Sequence, residues 1–407
     1  MRRTKVLVLG SSFAGMTAAI EIKKKLADRV DVSVISKSNE FLFMPSLIWV
    51  PFGVREPEAI TFDLVPVFAK ADIDYRQDTV TRIDLSSRCV VTEGAHEETY
   101  DYLVIATGPE LGYDEVPGLG PYGGSTQSIF SLDAAMKARD AYEAFLKDPG
   151  PVVVGAVQGA SCFGAVYEFL LNFAYHLKKQ GLADKAPLTY VTPEPYLGHF
   201  GMGGFGNHDA RMSGTKLIQQ FFDASKIEGQ TNARVERIEP GEITLHDGRR
   251  LPFAYAMLAP AFRGVPAVRA LGSDVVDARG FVKVSPTYQL PLHPEVYAAG
   301  ECVSLPAPEE TQVPWGVPKT GYLSEEMAKV VAHNIAADLR DEPMLELPAS
   351  YIDAKDVLDA GDTGIIISAD HFLEPRKSEW LIPGPQGHWA KLAFEKFFLA
   401  THKRGMV

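Results

Sequence analysis

The chain has 407 residues, 46% hydrophobic and 23% charged, an ordinary globular composition that size alone divides into roughly two to three domains. A net charge of −12 without any long basic block excludes nucleic acid as an expected partner, and Lys23-Lys24-Lys25 reads as the solvated face of an early helix. Three cysteines, Cys89, Cys162 and Cys302, are too few and too scattered for a disulfide framework or a zinc site, so no metal is expected. No apolar run reaches the roughly 18 residues that a membrane-spanning helix needs. No signal peptide is expected either, because residues 1–5 lead directly into a strand, and the expected location is the cytoplasm or the periphery of a membrane.

Residues 6–9 predict a short buried strand. The turn Gly10-Ser-Ser-Phe-Ala-Gly15 follows, then a helical run over 16–26 and a second apolar strand over 30–35. Strand, glycine turn, helix and strand in that order make a mononucleotide-binding unit. The spacing is that of G-x-G-x-x-G with Ser12 in the middle place, the mildest replacement where backbone must approach a pyrophosphate. Gly10, Ser12, Phe13, Ala14 and Gly15 are therefore candidate pyrophosphate contacts. An acid is expected after the second strand to hold a ribose; Ser36 and Lys37 stand there, and a hydroxyl can take over that bond. The apolar loop Phe41-Leu-Phe-Met-Pro-Ser46 makes Pro45 a candidate cover for a flavin ring, with ordinary core as the alternative.

Two later patterns complete the nucleotide reading. Tyr102-Leu-Val-Ile-Ala-Thr-Gly108 is a buried strand ending in Thr107-Gly108, and Val296-Tyr-Ala-Ala-Gly-Glu301 ends in Gly300-Glu301. In flavoproteins with two dinucleotide domains the first closes the flavin domain, and the second sets a carboxylate, here Glu301, on the ribityl chain. Three patterns in this order point to FAD. In Pro314-Trp-Gly-Val-Pro-Lys-Thr-Gly-Tyr322, Lys319 is placed to bring positive charge to the flavin's reduced edge, with Thr320 and Gly321 beside it. The alternative is a proline-rich connection with a surface lysine.

The expected fold is α/β with two Rossmann-like domains. An FAD domain (1–115 and 276–340) is interrupted by a degenerate NAD-type domain (116–275), and an α+β segment (341–407) closes the chain. The interrupting domain keeps Gly155, Gly159 and Gly164 in its turn but has Val157 where the middle glycine belongs. Its next strand, 188–192, ends in threonine rather than an acid, and both features oppose tight NAD binding.

Cys162 lies in that second turn, at the predicted start of a helix through Tyr167 and Leu171. Unpaired amides and the helix dipole there lower a thiol's pKa, which would make Cys162 a reactive thiolate. The alternative is a buried small hydrophobe. His199, in a Gly- and aromatic-rich loop over 195–206, is a candidate for proton transfer or a structural loop residue. The tail 389–399 offers a broad apolar helix face ringed by lysines, which suits a membrane interface, core packing or a dimer contact.

With these residues assembled, the chain resembles the sulfide:quinone oxidoreductases of the flavoprotein disulfide-reductase superfamily. The most specific pieces are Gly159-Ala-Ser-Cys-Phe-Gly164 with Tyr167-Glu168, Glu194-Pro-Tyr-Leu-Gly-His199, Pro260-Ala-Phe-Arg-Gly-Val-Pro266, Val317-Pro-Lys-Thr-Gly-Tyr322 and Ala393-Phe-Glu-Lys-Phe397. The resemblance implies FAD-dependent oxidation of sulfide, or of a persulfide or thiol, to polysulfide or sulfur, with electrons passed to a membrane quinone. It matches Cys162 to one of two cysteines that flank the flavin and His199 to a proton-transfer histidine. Phe394, Phe398 and Lys391 fall on the quinone side, in the segment 341–407, where peripheral membrane contact is implied.

The departures from the family lie at the cysteines. In Lys355-Asp-Val-Leu-Asp-Ala-Gly-Asp362, Asp356 replaces the second flanking cysteine, and in Ser128-Ile-Phe130 a phenylalanine replaces a third. A two-cysteine relay is impossible here. Asp356 is left as a candidate base that also repels a sulfide anion, and Phe130 implies non-covalent FAD. An NADH:quinone oxidoreductase of type II and a non-catalytic flavin-binding sensor stand as alternatives, and a homo-oligomer stays open.

Overall fold

A computed structural model describes residues 2–206 and 213–407. The N-terminal unit runs β1 (Thr4–Leu9), α1 (Phe13–Leu26), β2 (Val30–Ser36), β3 (Asp74–Gln77) and β4 (Tyr102–Ile105). Val6 to Leu9 and Leu103 to Ile105 are continuous apolar runs, as strands buried on both faces require, and all are buried. β1 pairs in parallel with β2 and with β4, and Leu9 lies level with both Ile35 and Ile105. The three strands therefore end together, and the turns that follow them crowd one edge of the sheet.

The second unit repeats the plan with β5 (Val152–Ala156), α2 (Phe163–Lys179), β6 (Leu188–Val191), β7 (Ile227–Gln230) and β8 (Tyr255–Ala259). They form a parallel sheet of order β7-β6-β5-β8. The chain then returns to the first sheet through β9 (Gln289–Leu290) and β10 (His293–Ala298), giving the order β9-β10-β4-β1-β2-β3. α3 (Gly321–Asp338) packs along α1. Both sheets thus carry their C-terminal edges, where open α/β sheets bind ligands, beside the turns that hold the candidate residues.

The last segment is a three-stranded antiparallel sheet, β11 (Ala354–Asp359), β12 (Gly364–Ala369) and β13 (Glu379–Pro383), followed by α4 (Pro385–His402). β11 packs on α2, and α4 covers β11 and β12. This contact carries Asp356 to the start of α2, although it lies 194 residues beyond Cys162 in the chain (356 − 162). The two-Rossmann α/β architecture is as expected.

Candidate functional site

The first turn is built by glycines that touch backbone. Gly10 has φ +103°, and a Cβ there would stand 2.2 Å from the Ala106 carbonyl oxygen; a Cβ on Gly15 would stand 2.0 Å from that of Gly10. Neither position admits another residue. Ser12 has φ −82°, so its backbone does not demand glycine, which explains why the serine fits. Ser12 is the N-cap of α1 but makes no side-chain capping bond, which leaves the first amides of the helix for a ligand. Ser36 meets the turn through a 2.8 Å bond from the Ser11 hydroxyl.

The second half of the cradle comes from the return of the chain to the first sheet. Gly300, at φ +81°, lies so close to α1 that a Cβ would stand 2.7 Å from the Cβ of Ala14. At Gly321 a Cβ would stand 2.8 Å from the Phe13 ring, so the N-termini of α1 and α3 converge. Thr320 caps α3, accepting from Leu323 N–H at 3.2 Å. Gly108, at φ +67°, opens onto free space. Burial raises the Glu301 carboxyl to about 7, partly offset by Lys319. Lys319 is buried rather than on the surface; its Nζ donates to the Glu301 carbonyl at 3.0 Å, and desolvation lowers it to about 7. Two helix N-termini, backbone bare of Cβ atoms and a buried carboxyl fit a flavin dinucleotide.

Cys162 is the N-cap residue of α2 and keeps some accessible surface. Its thiol is pushed up to about 12, first by burial, then by the carboxylates of Glu301, Asp356 and Glu168. This overturns the expectation of a low thiol pKa: the helix start is present, but burial and the surrounding acids outweigh it. Asp356 faces the same helix start, for a Cβ on Gly164 would stand 3.4 Å from Asp356 Oδ2. Its Oδ1 accepts from Val357 N–H at 2.8 Å, and burial raises its pKa. Further along α2, Glu168 accepts from Lys391 Nζ at 2.8 and 2.9 Å, both side chains being only 5% exposed. Burial raises Glu168 to about 8 even so, while the carboxylates around Lys391 push that ammonium up.

His199 lies apart from the thiol. Its ring packs on Trp315, the centroids 4.6 Å apart, and the next residue, Gly316, abuts Ser161. Nδ1 accepts from Gly201 N–H at 3.1 Å and Nε2 lies 2.9 Å from Glu309, so the ring is a neutral Nε2–H tautomer. Burial lowers its pKa, against the pull of Glu309.

α4 is inverted relative to an ordinary surface helix. Its inward stripe is polar: His388 meets Asp359 at 2.7 Å, Lys391 meets Glu168, Glu395 meets Arg55 at 2.9 Å and His402 meets Glu325 at 2.8 Å. Its outward face carries Trp389 (66% exposed), Phe394 and Phe397 (69% exposed). Most of the apolar face lies outside the core, and Lys391 does not ring it. Phe398 is core, its ring centroid 4.9 Å from Phe43 and 5.1 Å from Phe13; Phe43 neighbours Pro45 in the chain.

A pyridine nucleotide-disulphide oxidoreductase model matches residues 4–166. The sulfide-quinone reductase of Aquifex aeolicus is 34% identical over 407 residues, 99% of this chain and 92% of that one. The chain belongs to the sulfide-quinone reductase family. The crystal structure of the Aquifex aeolicus sulfide:quinone oxidoreductase superposes with a TM-score of 0.92 at 33% identity, covering 99% of this chain and 92% of that one. A type II NADH:quinone oxidoreductase of Mycobacterium tuberculosis is 28% identical over 86% of this chain and 76% of its own. The protein is accordingly an FAD flavoprotein and an oxidoreductase.

Sequence reasoning passed over Glu168, Asp359 and His388 as site residues. Glu168 had a signal: it is the single acid in the helix Phe163–Lys179, set among the apolar residues of its first half. Gly15→Ala, whose Cβ must displace the Gly10 turn, is expected to purify without FAD, read as loss of flavin absorbance against protein absorbance. Lys391→Met strands a buried carboxylate and is expected to lower stability by about 3–5 kcal/mol, whereas Glu168→Leu combined with Lys391→Met recovers most of that loss in chemical denaturation.

Proposed function

We propose that this protein oxidises hydrogen sulfide at Cys162 and passes the electrons through FAD to a membrane quinone. The observation that carries the reading is an accessible thiol at a helix start, coupled to Glu301 of the flavin cradle and to Asp356. Bound in the cradle, FAD supplies a two-electron acceptor. Gly10, Ser12, Phe13, Ala14 and Gly15 hold its pyrophosphate, and Ser36 and Lys37 its ribose. Thr107, Gly108, Gly300 and Glu301 line the ribityl chain, while Pro45, Lys319, Thr320 and Gly321 surround the ring.

The chain's own task is handling sulfur and protons. Joining the sulfur of hydrogen sulfide to Cys162 Sγ forms one S–S bond, breaks two S–H bonds and releases two electrons and two protons. The two electrons would be taken up by FAD bound in the cradle for delivery to quinone. A thiol held near 12 is protonated at neutral pH, so it needs a base beside it. Asp356, on β11 facing the same helix start and raised by burial, receives that proton. His199 is the outward step, because its Nε2–H faces the half-exposed Glu309. Sulfur then leaves as a polysulfide when a second sulfide attacks the Cys162 persulfide; that step exchanges one S–S bond for another and needs no oxidant. Val157 is buried in the second domain's core, which speaks against NADH as the donor.

Quinone approaches along Phe394, between the exposed face of α4 and the aromatic layer of Phe398, Phe43 and Phe13, with Lys391 behind it. Trp389, Phe394 and Phe397, together with the exposed Trp380 and Ile382 of β13, set that entrance in a membrane interface. Among the described residues no helix is long and apolar enough to cross the membrane.

Anaerobic sulfide is expected to bleach the flavin of the wild type within a turnover time and leave Cys162→Ala yellow with its FAD retained; bleaching of that variant at the wild-type rate refutes the role of the thiol. Cys162 alkylation by iodoacetamide is expected to keep rising with pH, without a plateau below about 12, because the thiolate fraction grows tenfold per unit below the pKa. Trp389→Ser with Phe397→Ser should reduce co-sedimentation with liposomes while turnover of a water-soluble quinone is kept.

A further inference from the structure

The charge around Cys162 is unbalanced. Three carboxyls, Asp356, Glu301 and Glu168, act on its thiol. Lys391 is consumed by Glu168 in a two-oxygen contact. Among the described residues neither Asp356 nor Glu301 has an ion-pair partner at its side chain; Asp356 receives one backbone N–H, and Lys319 donates to the Glu301 carbonyl rather than its carboxyl. Lys319 is itself buried, its Nζ 3.1 Å from the centroid of the Phe281 ring, and desolvation lowers its pKa to about 7, so its charge is only partial at neutral pH. Cys162, Asp356 and Glu301 each keep accessible surface. A visiting anion meets two carboxyls there that Lys391 and Lys319 offset only without direct contact.

The neutral hydrogen-bonding capacity of the same place is unused. Ser161 Oγ, next to Cys162, and Trp315 Nε1, across the contact between Gly316 and Ser161, are buried (4% and 7% exposed) and have no partner among the described residues. Buried polar atoms without partners are uncommon and point to a ligand that completes them. One hydroxyl and one N–H can hold a small uncharged group but cannot neutralise an anion.

We propose that Asp356 makes the thiol pocket of this protein selective for uncharged sulfur compounds, hydrogen sulfide itself or a small neutral thiol, and closes it to hydrosulfide, sulfite and anionic persulfides. This deepens the assignment of sulfide oxidation and rests on it. Asp356 is the specificity residue because Glu301 faces the flavin cradle and Glu168 is paired. Hydrogen sulfide enters uncharged and is deprotonated only inside, on the carboxylate that bars the anion from entering.

The test labels the FAD-bound protein in a Cys89→Ser background with two thiosulfonates, neutral methyl methanethiosulfonate and anionic 2-sulfonatoethyl methanethiosulfonate. Each converts a thiol to a mixed disulfide and releases methanesulfinate, and peptide mass spectrometry reads the rate at Cys162. Relative to the same pair acting on N-acetylcysteine amide at the same pH, the anionic reagent is expected to be disfavoured at Cys162 by about tenfold or more. Asp356→Asn is expected to restore most of that ratio, and Asp356→Ser serves if the asparagine variant loses its flavin. Because the ratio is read, a general change in thiol reactivity cancels.

Equal ratios at Cys162 and the model thiol overturn the proposal, as does discrimination that survives both variants. Failure of the neutral reagent to label Cys162 overturns it too, since the pocket then admits no small neutral molecule. Sulfide bleaching of the flavin is measured separately. Discrimination that depends on Asp356 without bleaching by sulfide keeps the selectivity and rejects hydrogen sulfide as donor, leaving a neutral thiol; bleaching without discrimination does the reverse.

Discussion

The pairing of Lys391 with Glu168 fixes the relation between the two ends of the site. Glu168 lies on the helix that starts at Cys162, Lys391 on α4, and both are almost fully buried. The Asp359 amide also donates to Glu168 at 2.8 Å, so β11 is tied to the same carboxylate. A buried ion pair of this kind contributes little net stability, because desolvating two charges offsets most of their attraction, but breaking it is costly. Its effect is therefore on position. With α2, β11 and α4 locked in register, Asp356 must stand beside the start of α2, and Phe398 must sit against Phe13 and Phe43.

The polar stripe of α4 follows from that constraint. His388, Lys391, Glu395 and His402 recur at helical spacing and each finds an ionic partner on a different element. Committing the inward face to charge leaves Trp389, Phe394 and Phe397 outside. In water alone this arrangement forgoes apolar burial of roughly 1.5–3 kcal/mol per large side chain. On the proposed function a lipid surface would recover that burial, and the same helix would then serve both as an anchor and as the wall behind a lipid-soluble electron acceptor.

The flavin cradle was legible in the sequence because its demands are local or carried by backbone. Gly10 and Gly15 are required by contacts of 2.2 and 2.0 Å that no side chain allows, so their spacing survives in the chain. Gly300 and Gly321 were legible for the same reason, since a Cβ there would stand 2.7 and 2.8 Å from Ala14 and Phe13 of α1. The position of Cys162 at a helix start was also readable. Its chemistry was not, since a helix terminus predicts a lowered pKa while burial and the acids Glu301, Asp356 and Glu168 raise it. Glu301 and Asp356 arrive only through tertiary contacts, far along the chain from the thiol. The tail misled in a comparable way. Lysine at the edge of an apolar stripe reads as solvated, and only the packing of α2 under α4 shows that Lys391 points inward.

On the reading that Asp356 stands where the family has a second thiol, the site must handle protons differently. A pair of thiols can store sulfur between them and take up charge as thiolate. A single thiol near 12 is neutral at rest, and on the proposed function the carboxylate beside it, its pKa raised by burial, is the base that takes up a proton. Keeping the thiol neutral lowers the cost of leaving the pocket poorly solvated, since an unpaired buried ion is far more expensive than a buried neutral group. On the proposed function, the charge of the carboxylate is discharged when substrate brings an S–H bond to it, and the proton then moves outward through the Nε2–H of His199 toward Glu309. On this reasoning the carboxyl is a change of proton-handling strategy: its charge turns anions away and is neutralised by the proton of a sulfur compound that enters uncharged.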